Sequence, residues 1–249
     1  KVSGIIYGAT SKKIKSYLMI LMEDNFVILQ SNSGVIGSCS IANAFSYSIQ
    51  ATKNSILIII FGRNTKKVNS FADKFDIDAH HQFYVFFSSE EIDAVYIATP
   101  HSEHFFYALE AIKNGKHVLC EKPFTMNAHE SMVLLDLANA KNIFLMEAFM
   151  YRMHPQTRNI LDNLNFLSDA KDKILIEASF GFQADVPVTH RLRNPELGGG
   201  AILDVGCYQL TMAKLIAGQL QVLDFAEAKS LAATGQLDET GGDCQANER

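Results

Sequence analysis

From about Ser33 onward, short apolar runs alternate with amphipathic stretches. Ser55–Phe61, Ala94–Ala98, His117–Cys120 and Ile143–Met146 are four to seven residues each and mostly aliphatic. Runs this short and unbroken predict strands buried on both faces, as in a parallel sheet. Between them, Ser102–Asn114 puts Phe105, Phe106, Leu109 and Ile112 on one helical face, with Gly115 as a stop. Asn127–Ala140 opens on an N-cap residue and carries Met132, Leu135 and Ala138 at helical spacing. Strand–helix alternation of this kind predicts an α/β fold built on a doubly wound parallel sheet with right-handed crossovers.

After Tyr151 the texture changes. Ile174–Phe182 reads as a longer, more alternating strand, followed by an irregular loop over Pro187–Glu196, three glycines (Gly198–Gly200) and a helix from about Ala201 to Ala217. The pattern therefore divides into residues 1–30, an unassigned extension with a helix-like Lys15–Met22; residues 31–151, a doubly wound domain; and residues 152–249, part of a second α/β domain.

Composition narrows the class. The chain has 249 residues, 48% hydrophobic and 20% charged, which excludes a disulfide-stapled miniprotein, a collagen-like repeat and a wholly disordered chain. Lys and Arg number 22 against 27 Asp and Glu, a formal charge of −5, so binding to nucleic-acid phosphates is not expected. Most of that charge sits in the tail beyond Val222, where Asp224, Glu227, Asp238, Glu239, Asp243 and Glu248 face only Lys229 and Arg249. Cys39, Cys120, Cys207 and Cys244 are far apart with no Cys-x-x-Cys, which suits reduced thiols and a cytoplasmic location. The apolar run Tyr17–Met22 is too short for a membrane span, and no cleavage signature follows it.

The candidate chemistry begins where the first strand turns into the first helix. In the stretch Gly34–Ala42, the three places of the dinucleotide fingerprint G-x-G-x-x-G/A are taken by Gly37, Cys39 and Ala42. The first and third fit a tight turn and close helix–strand packing; the middle one departs from glycine. At the end of the second strand stand Gly62, Arg63 and Asn64, then Lys66 and Lys67, with no acid until Asp73. An NAD site places an acid there for the ribose 2′-hydroxyl, whereas arginine presents a fork that matches a 2′-phosphate, so NADP is expected over NAD. A solvated basic helix start is the plainer alternative.

Lys122 follows directly on the strand His117–Cys120 within Glu121-Lys122-Pro123, at the end of a doubly wound sheet where ligands bind. There an amine can exchange a proton with a substrate hydroxyl while hydride moves; taken alone, a surface loop with an ordinary ion pair is the better reading. Asp204 and Tyr208 are four apart in the later helix and share a face, and the glycines before them let backbone approach another surface, such as a cofactor. His101 and His104 lack a third ligand at metal spacing and suit a helix start better. Tyr-x-x-x-Lys and Gly-x-Ser-x-Gly are absent, so neither a short-chain dehydrogenase nor a serine hydrolase is expected.

Taken in order, Gly37 with Ile41-Ala42, Asp93–Pro100 with His101 and His104, Gly115–Pro123, Met146–Arg152 and Gly198–Tyr208 resemble the glucose–fructose oxidoreductase/inositol dehydrogenase/MocA family. The string Gly115-Lys-His-Val-Leu-Cys-Glu-Lys-Pro123 is the most specific, and the likeness is strongest to the branch of dimeric dihydrodiol dehydrogenases and NADP-dependent D-xylose dehydrogenases. The resemblance implies a Rossmann domain joined to an α/β domain with an open antiparallel sheet, through which a homodimer forms where that sheet is present. It implies NADP, a sugar, polyol or cyclic diol substrate, Lys122 as proton-transfer residue, Asp204 as orienting residue, and Tyr208 in a place that is histidine in many relatives. Gly37, Cys39, Ser40, Ile41, Ala42, Arg63, Thr99, Pro100, His101, His104, Glu121, Lys122 and Arg152 would then contact or flank the cofactor, and Arg191 and Arg193 an anionic group.

Three departures qualify this. Cys39 replaces the middle glycine, and Gln30–Ser33 is polar where the family has an apolar strand, at a cost of about 1–3 kcal/mol for each buried polar group left unsatisfied. Thr234–Asn247 resembles the opening of the family's second sheet, after which the chain stops. The alternative expectation is accordingly a truncated, non-catalytic paralogue that binds nucleotide or another subunit.

Overall fold

The apolar runs form the strands of a six-stranded sheet in the computed structural model of the chain, which describes residues 31–53, 55–164, 175–221, 226–227, 230 and 232–248. The helix-like Lys15–Met22 lies outside the described residues, as does Ile174. The described residues fall into two compact units, one running to Ala148 and the other starting at Phe149.

In the first unit the strands are β1 (Ser31–Ile36), β2 (Ser55–Phe61), β3 (Asp78–His80), β4 (Ala94–Ile97), β5 (His117–Glu121) and β6 (Leu145–Ala148). They pair in the order β3-β2-β1-β4-β5-β6, and every pairing is parallel. The connecting helices are α1 (Ser40–Gln50), α2 (Thr65–Phe75), α3 (Phe83–Ser88), α4 (His101–Lys113) and α5 (Ala128–Lys141). Strand side chains alternate between two cores. Ile36, Ile59, Phe61, Val95, Ile97, Val118 and Cys120 pack with Phe86, Phe87, Ala108, Ile112 and Leu134 on the α3–α4–α5 side. Val35, Ile60 and Tyr96 pack with Ala42, Ile49, Val68, Phe71 and Phe75 on the α1–α2 side. Both faces are covered, which is why these strands read as unbroken apolar runs rather than alternating ones.

The polar start of β1 is accommodated by its neighbours. The hydroxyls of Ser31 and Ser55 are 2.5 Å apart, and the Asn32 amide donates to Asp93 Oδ2 at 2.8 Å. Local signals set the helix ends. Asn64 and Asn127 accept from the amides of Lys67 and Glu130, each at 3.0 Å, as N-caps do. Chain reversal after α4 uses Gly115 at φ +76°, a conformation that costs glycine nothing.

The second unit contains a 3₁₀ turn (Met150–Met153), α6 (Pro155–Asn163), a π-helical turn (Ile202–Gly206) leading into α7 (Cys207–Leu220), and the antiparallel pair β7 (Ala233–Leu237) and β8 (Asp243–Glu248). Leu161, Leu164 and Leu215 form its small core with Tyr151, Met212, Ile216 and Leu220. One expectation fails here: residues 175–187 are irregular, not a strand. Among the described residues nothing pairs with this segment, Leu175 and Phe182 are exposed, and alternation without a ladder partner does not make a strand.

Candidate functional site

At the carboxyl end of the first sheet, β1 leads into α1 to one side of β2 and beside β4, the point where strand order reverses. Gly37 makes that turn with φ +101°, and a Cβ on it would stand 2.5 Å from the carbonyl oxygen of Ala98. Only glycine fits there. Cys39 is tolerated in the middle place because its Sγ lies 3.2 Å from the same Ala98 carbonyl, turned toward the end of β4. Ala42, fully buried, gives the close helix–sheet contact of the third place. Ser40 opens α1, whose N-terminus has no side-chain cap bond and no acid in its first turn, and Ile41 is half-buried beside it. Amides left open at a helix N-terminus are suited to an anion such as a pyrophosphate. Thr99, at the end of β4, has a buried hydroxyl with no partner among the described residues. A glycine-only turn, an uncapped helix start and an orphaned hydroxyl on one sheet end fit a dinucleotide.

Around Lys122, backbone and neighbours are tied together. The Tyr96 hydroxyl on β4 donates to Glu121 Oε1 at 2.5 Å, beneath the ring of Phe45, which stacks on Tyr96 at 3.8 Å between centroids. Burial raises the Glu121 carboxyl above its ordinary range even though the Tyr96 bond and Lys122 pull it down; burial and then the carboxylate keep Tyr96 protonated. The Lys122 amide donates to Glu121 Oε2 at 3.3 Å, and the Phe124 amide donates to Glu147 Oε1 at 2.8 Å. Lys122 itself is half-buried, and the Lys122–Pro123 peptide is cis. His104, on α4, is fully buried with Nδ1 2.8 Å from the Pro123 carbonyl and Nε2 3.0 Å from that of Thr99. Two carbonyls favour a protonated ring, but burial outweighs them and lowers its pKa to about 4. His104 thus bridges the loops after β4 and β5. His101, also buried, starts α4 behind Pro100, its ring 5.7 Å from that of His104.

Arg63 follows β2, as the phosphate reading requires, but it forms an ion pair with Glu103 of α4. Tyr96, Glu103 and Glu147 were missed by sequence reasoning. A tyrosine inside an otherwise aliphatic strand was the signal available for Tyr96; Glu103, an acid in a helix's first turn, is explained by the helix dipole alone.

The remaining candidates belong to the second unit. Arg152 is buried in the 3₁₀ turn. Asp204, also buried, sits in the π turn with Oδ1 3.2 Å from Arg191 Nη1. The wider turn means Asp204 and Tyr208 do not follow simple α-helical spacing. Tyr208 stands among Phe149, Tyr151 and Phe180, its ring centroid 5.5–5.8 Å from each. Arg193 is engaged by Asp238 and Glu239, each at 2.9 Å, so the anionic group it meets is the β7–β8 turn. The Thr240 hydroxyl and amide, then Arg193, hold Asp238 down to about 2. The glycine run meets the chain itself: a Cβ on Gly199 would reach the backbone of Asn194, Arg191 and Arg193, and one on Gly200 the Asp243 carboxylate. Among the described residues there is no cluster of three or more metal-ligating side chains and no helix long and apolar enough to cross a membrane.

A parallel sheet in this order, with a glycine turn where the order reverses, is the frame of a dinucleotide-binding Rossmann domain. Residues 31–149 match the oxidoreductase family with an NAD-binding Rossmann fold, GFO_IDH_MocA, and that domain of the chain belongs to this family. The chain is 32% identical over 202 residues to D-xylose 1-dehydrogenase (NADP(+)) of Hypocrea jecorina, covering 77% of this chain and 52% of the relative. It is 32% identical over 215 residues to trans-1,2-dihydrobenzene-1,2-diol dehydrogenase of Xenopus tropicalis, covering 84% and 62%. Among solved structures, a 3-ketoreductase from Actinomadura kijaniata in complex with NADP and TDP-benzene superposes with a TM-score of 0.66 at 27% identity, over 76% of this chain and 58% of that one. The chain spans roughly half to three-fifths of the length of these relatives.

Proposed function

We propose that the chain binds NADP and acts as an oxidoreductase on a hydroxyl-bearing carbon of a sugar, polyol or cyclic trans-diol. The observation that carries this reading is the placement of Lys122 at the carboxyl end of β5, on the same sheet end as the Gly37 turn and the open start of α1. The names of the relatives support the substrate class, and Arg63 after β2 supports the 2′-phosphate. The nicotinamide, when bound, accepts or returns the hydride.

The protein's share is positioning and proton handling. Gly37 and the amides at Ser40 and Ile41 receive the pyrophosphate, and Thr99, Pro100 and His101 flank the nicotinamide side. In the oxidative direction Lys122 Nζ takes the hydroxyl proton as the carbon gives up its hydride; in reduction it returns it. Glu121 and Glu147 hold the backbone on either side of Lys122, so the amine approaches from a fixed root.

NADPH emission titrated with the whole chain, followed by turnover of D-xylose and of a trans-dihydrodiol with NADP, tests this. The chain has no tryptophan, so NADPH emission is read without competing indole signal. Saturable NADPH binding with turnover is expected. Lys122→Met should abolish turnover while leaving NADPH binding within about threefold, since it removes the proton-transfer amine and leaves the Gly37 turn and the α1 amides that take the pyrophosphate unchanged. Binding without turnover would leave a nucleotide-binding protein in place of an enzyme, and no binding would end both readings.

A further inference from the structure

The sequence places no carboxylate at the end of β2, where an unphosphorylated adenosine ribose is held by its 2′-hydroxyl. The fold supplies one from elsewhere. Glu103, forty residues after Arg63 and in the first turn of α4, reaches the guanidinium of Arg63 with Oε1. Its second oxygen, Oε2, is buried and has no hydrogen-bond partner among the described residues. The two side chains are held differently: that of Glu103 is 20% exposed, that of Arg63 72%. The acid is the more buried partner and the base the more exposed one.

We infer that Glu103 is a specificity-determining residue at the adenosine end of the nucleotide site, and that with Arg63 it lets the site take both ribose forms. The inference rests on the proposed nucleotide reading. With a 2′-hydroxyl, the Glu103 carboxylate is the acceptor through Oε1, which keeps a lone pair beside the Arg63 bond, Oε2 being buried. With a 2′-phosphate, Arg63 leaves Glu103 for the phosphate, whose paired charge and geometry suit a guanidinium better. An exposed ion pair is weak, so this exchange meets little resistance. Glu103 then faces a dianion and opposes its binding, which keeps the preference for the phosphorylated form modest. A glutamate placed only for the helix dipole would have no such dependence on the ribose.

The adenosine end can be tested without the nicotinamide. Calorimetric titration of the whole chain with adenosine 5′-phosphate and with adenosine 2′,5′-bisphosphate compares a ribose hydroxyl with a ribose phosphate on otherwise equal ligands. Wild type is expected to bind both, with dissociation constants within about tenfold of each other. Glu103→Gln, which removes the charge and keeps an acceptor, should tighten the bisphosphate several-fold and leave the monophosphate nearly unchanged. Glu103→Ala, which also removes the acceptor, should weaken the monophosphate about tenfold, the usual effect of losing a bond to a charged group. Arg63→Ala should weaken the bisphosphate alone. If wild type binds the bisphosphate and neither Glu103 variant changes the ratio of the two constants, the inference is overturned and the nucleotide reading survives. If wild type binds neither ligand, nucleotide reading and inference fall together.

Discussion

His104 should make the stability of this protein depend on pH in a calculable way. Its ring is fully buried and its pKa lies at about 4, against about 6.5 for an unfolded histidine. Between those values the unfolded chain binds the proton and the folded chain does not, so folding becomes less favourable as pH falls from about 6.5 toward 4. Near pH 5 the unfolded state is almost fully protonated at this site and the folded state is not, which amounts to about 2 kcal/mol relative to pH 8. Below about pH 4 the penalty levels off near 3 kcal/mol. The burial of His117 acts in the same direction, so the variant must be compared with wild type rather than with a flat line. His104→Gln keeps an amide donor for the Thr99 or Pro123 carbonyl and removes the titration. Urea unfolding followed by circular dichroism from about pH 8 to about pH 4.5 should show the two proteins diverging by roughly 2 kcal/mol, with wild type losing more stability on acidification. Parallel curves would refute the reasoning, because they would mean that the ring is not held neutral between the two carbonyls.

Two further outcomes follow from the same sheet end. Gly37→Ala should lower the unfolding free energy by more than about 2 kcal/mol, since it adds a positive-φ penalty to a clash with the Ala98 carbonyl, and should weaken NADPH emission in titration; an unchanged thermal midpoint would contradict the turn described here. Tyr96→Phe deletes the buried donor to Glu121 and should cost about 1–3 kcal/mol in chemical denaturation, with no loss if that carboxyl finds another partner.

Much of the first unit is legible in the sequence because its information is local. Aliphatic runs at strand length, Asn127 before a periodic stretch and Gly115 after another follow from burial, capping and the freedom of glycine. Those forces act over a few residues, and Gly37 is readable for the same reason. The second unit shows where that stops: residues 175–182 alternate as a strand would, yet a strand exists only by pairing, and sequence alternation does not contain its partner.

The site residues divide in the same way. Lys122 could be singled out because a strand end precedes it and the family's string surrounds it. What holds it could not be: Tyr96 meets Glu121 across two strands, Glu147 reaches Phe124 from β6, and His104 joins two loops that only the sheet order brings together. Arg63 was legible as a candidate for a 2′-phosphate from its position after β2, whereas its partner Glu103 was not, because the first turn of α4 reaches it only once β4 has been inserted beside β1. The sequence by itself determined the aliphatic strands β2, β4, β5 and β6, the turn at Gly37 and the chemical type of the groups at their ends. Which of those groups meet, and so which charges are paired, buried or left open to a ligand, was decided by strand order, a long-range property set by packing both faces of the sheet.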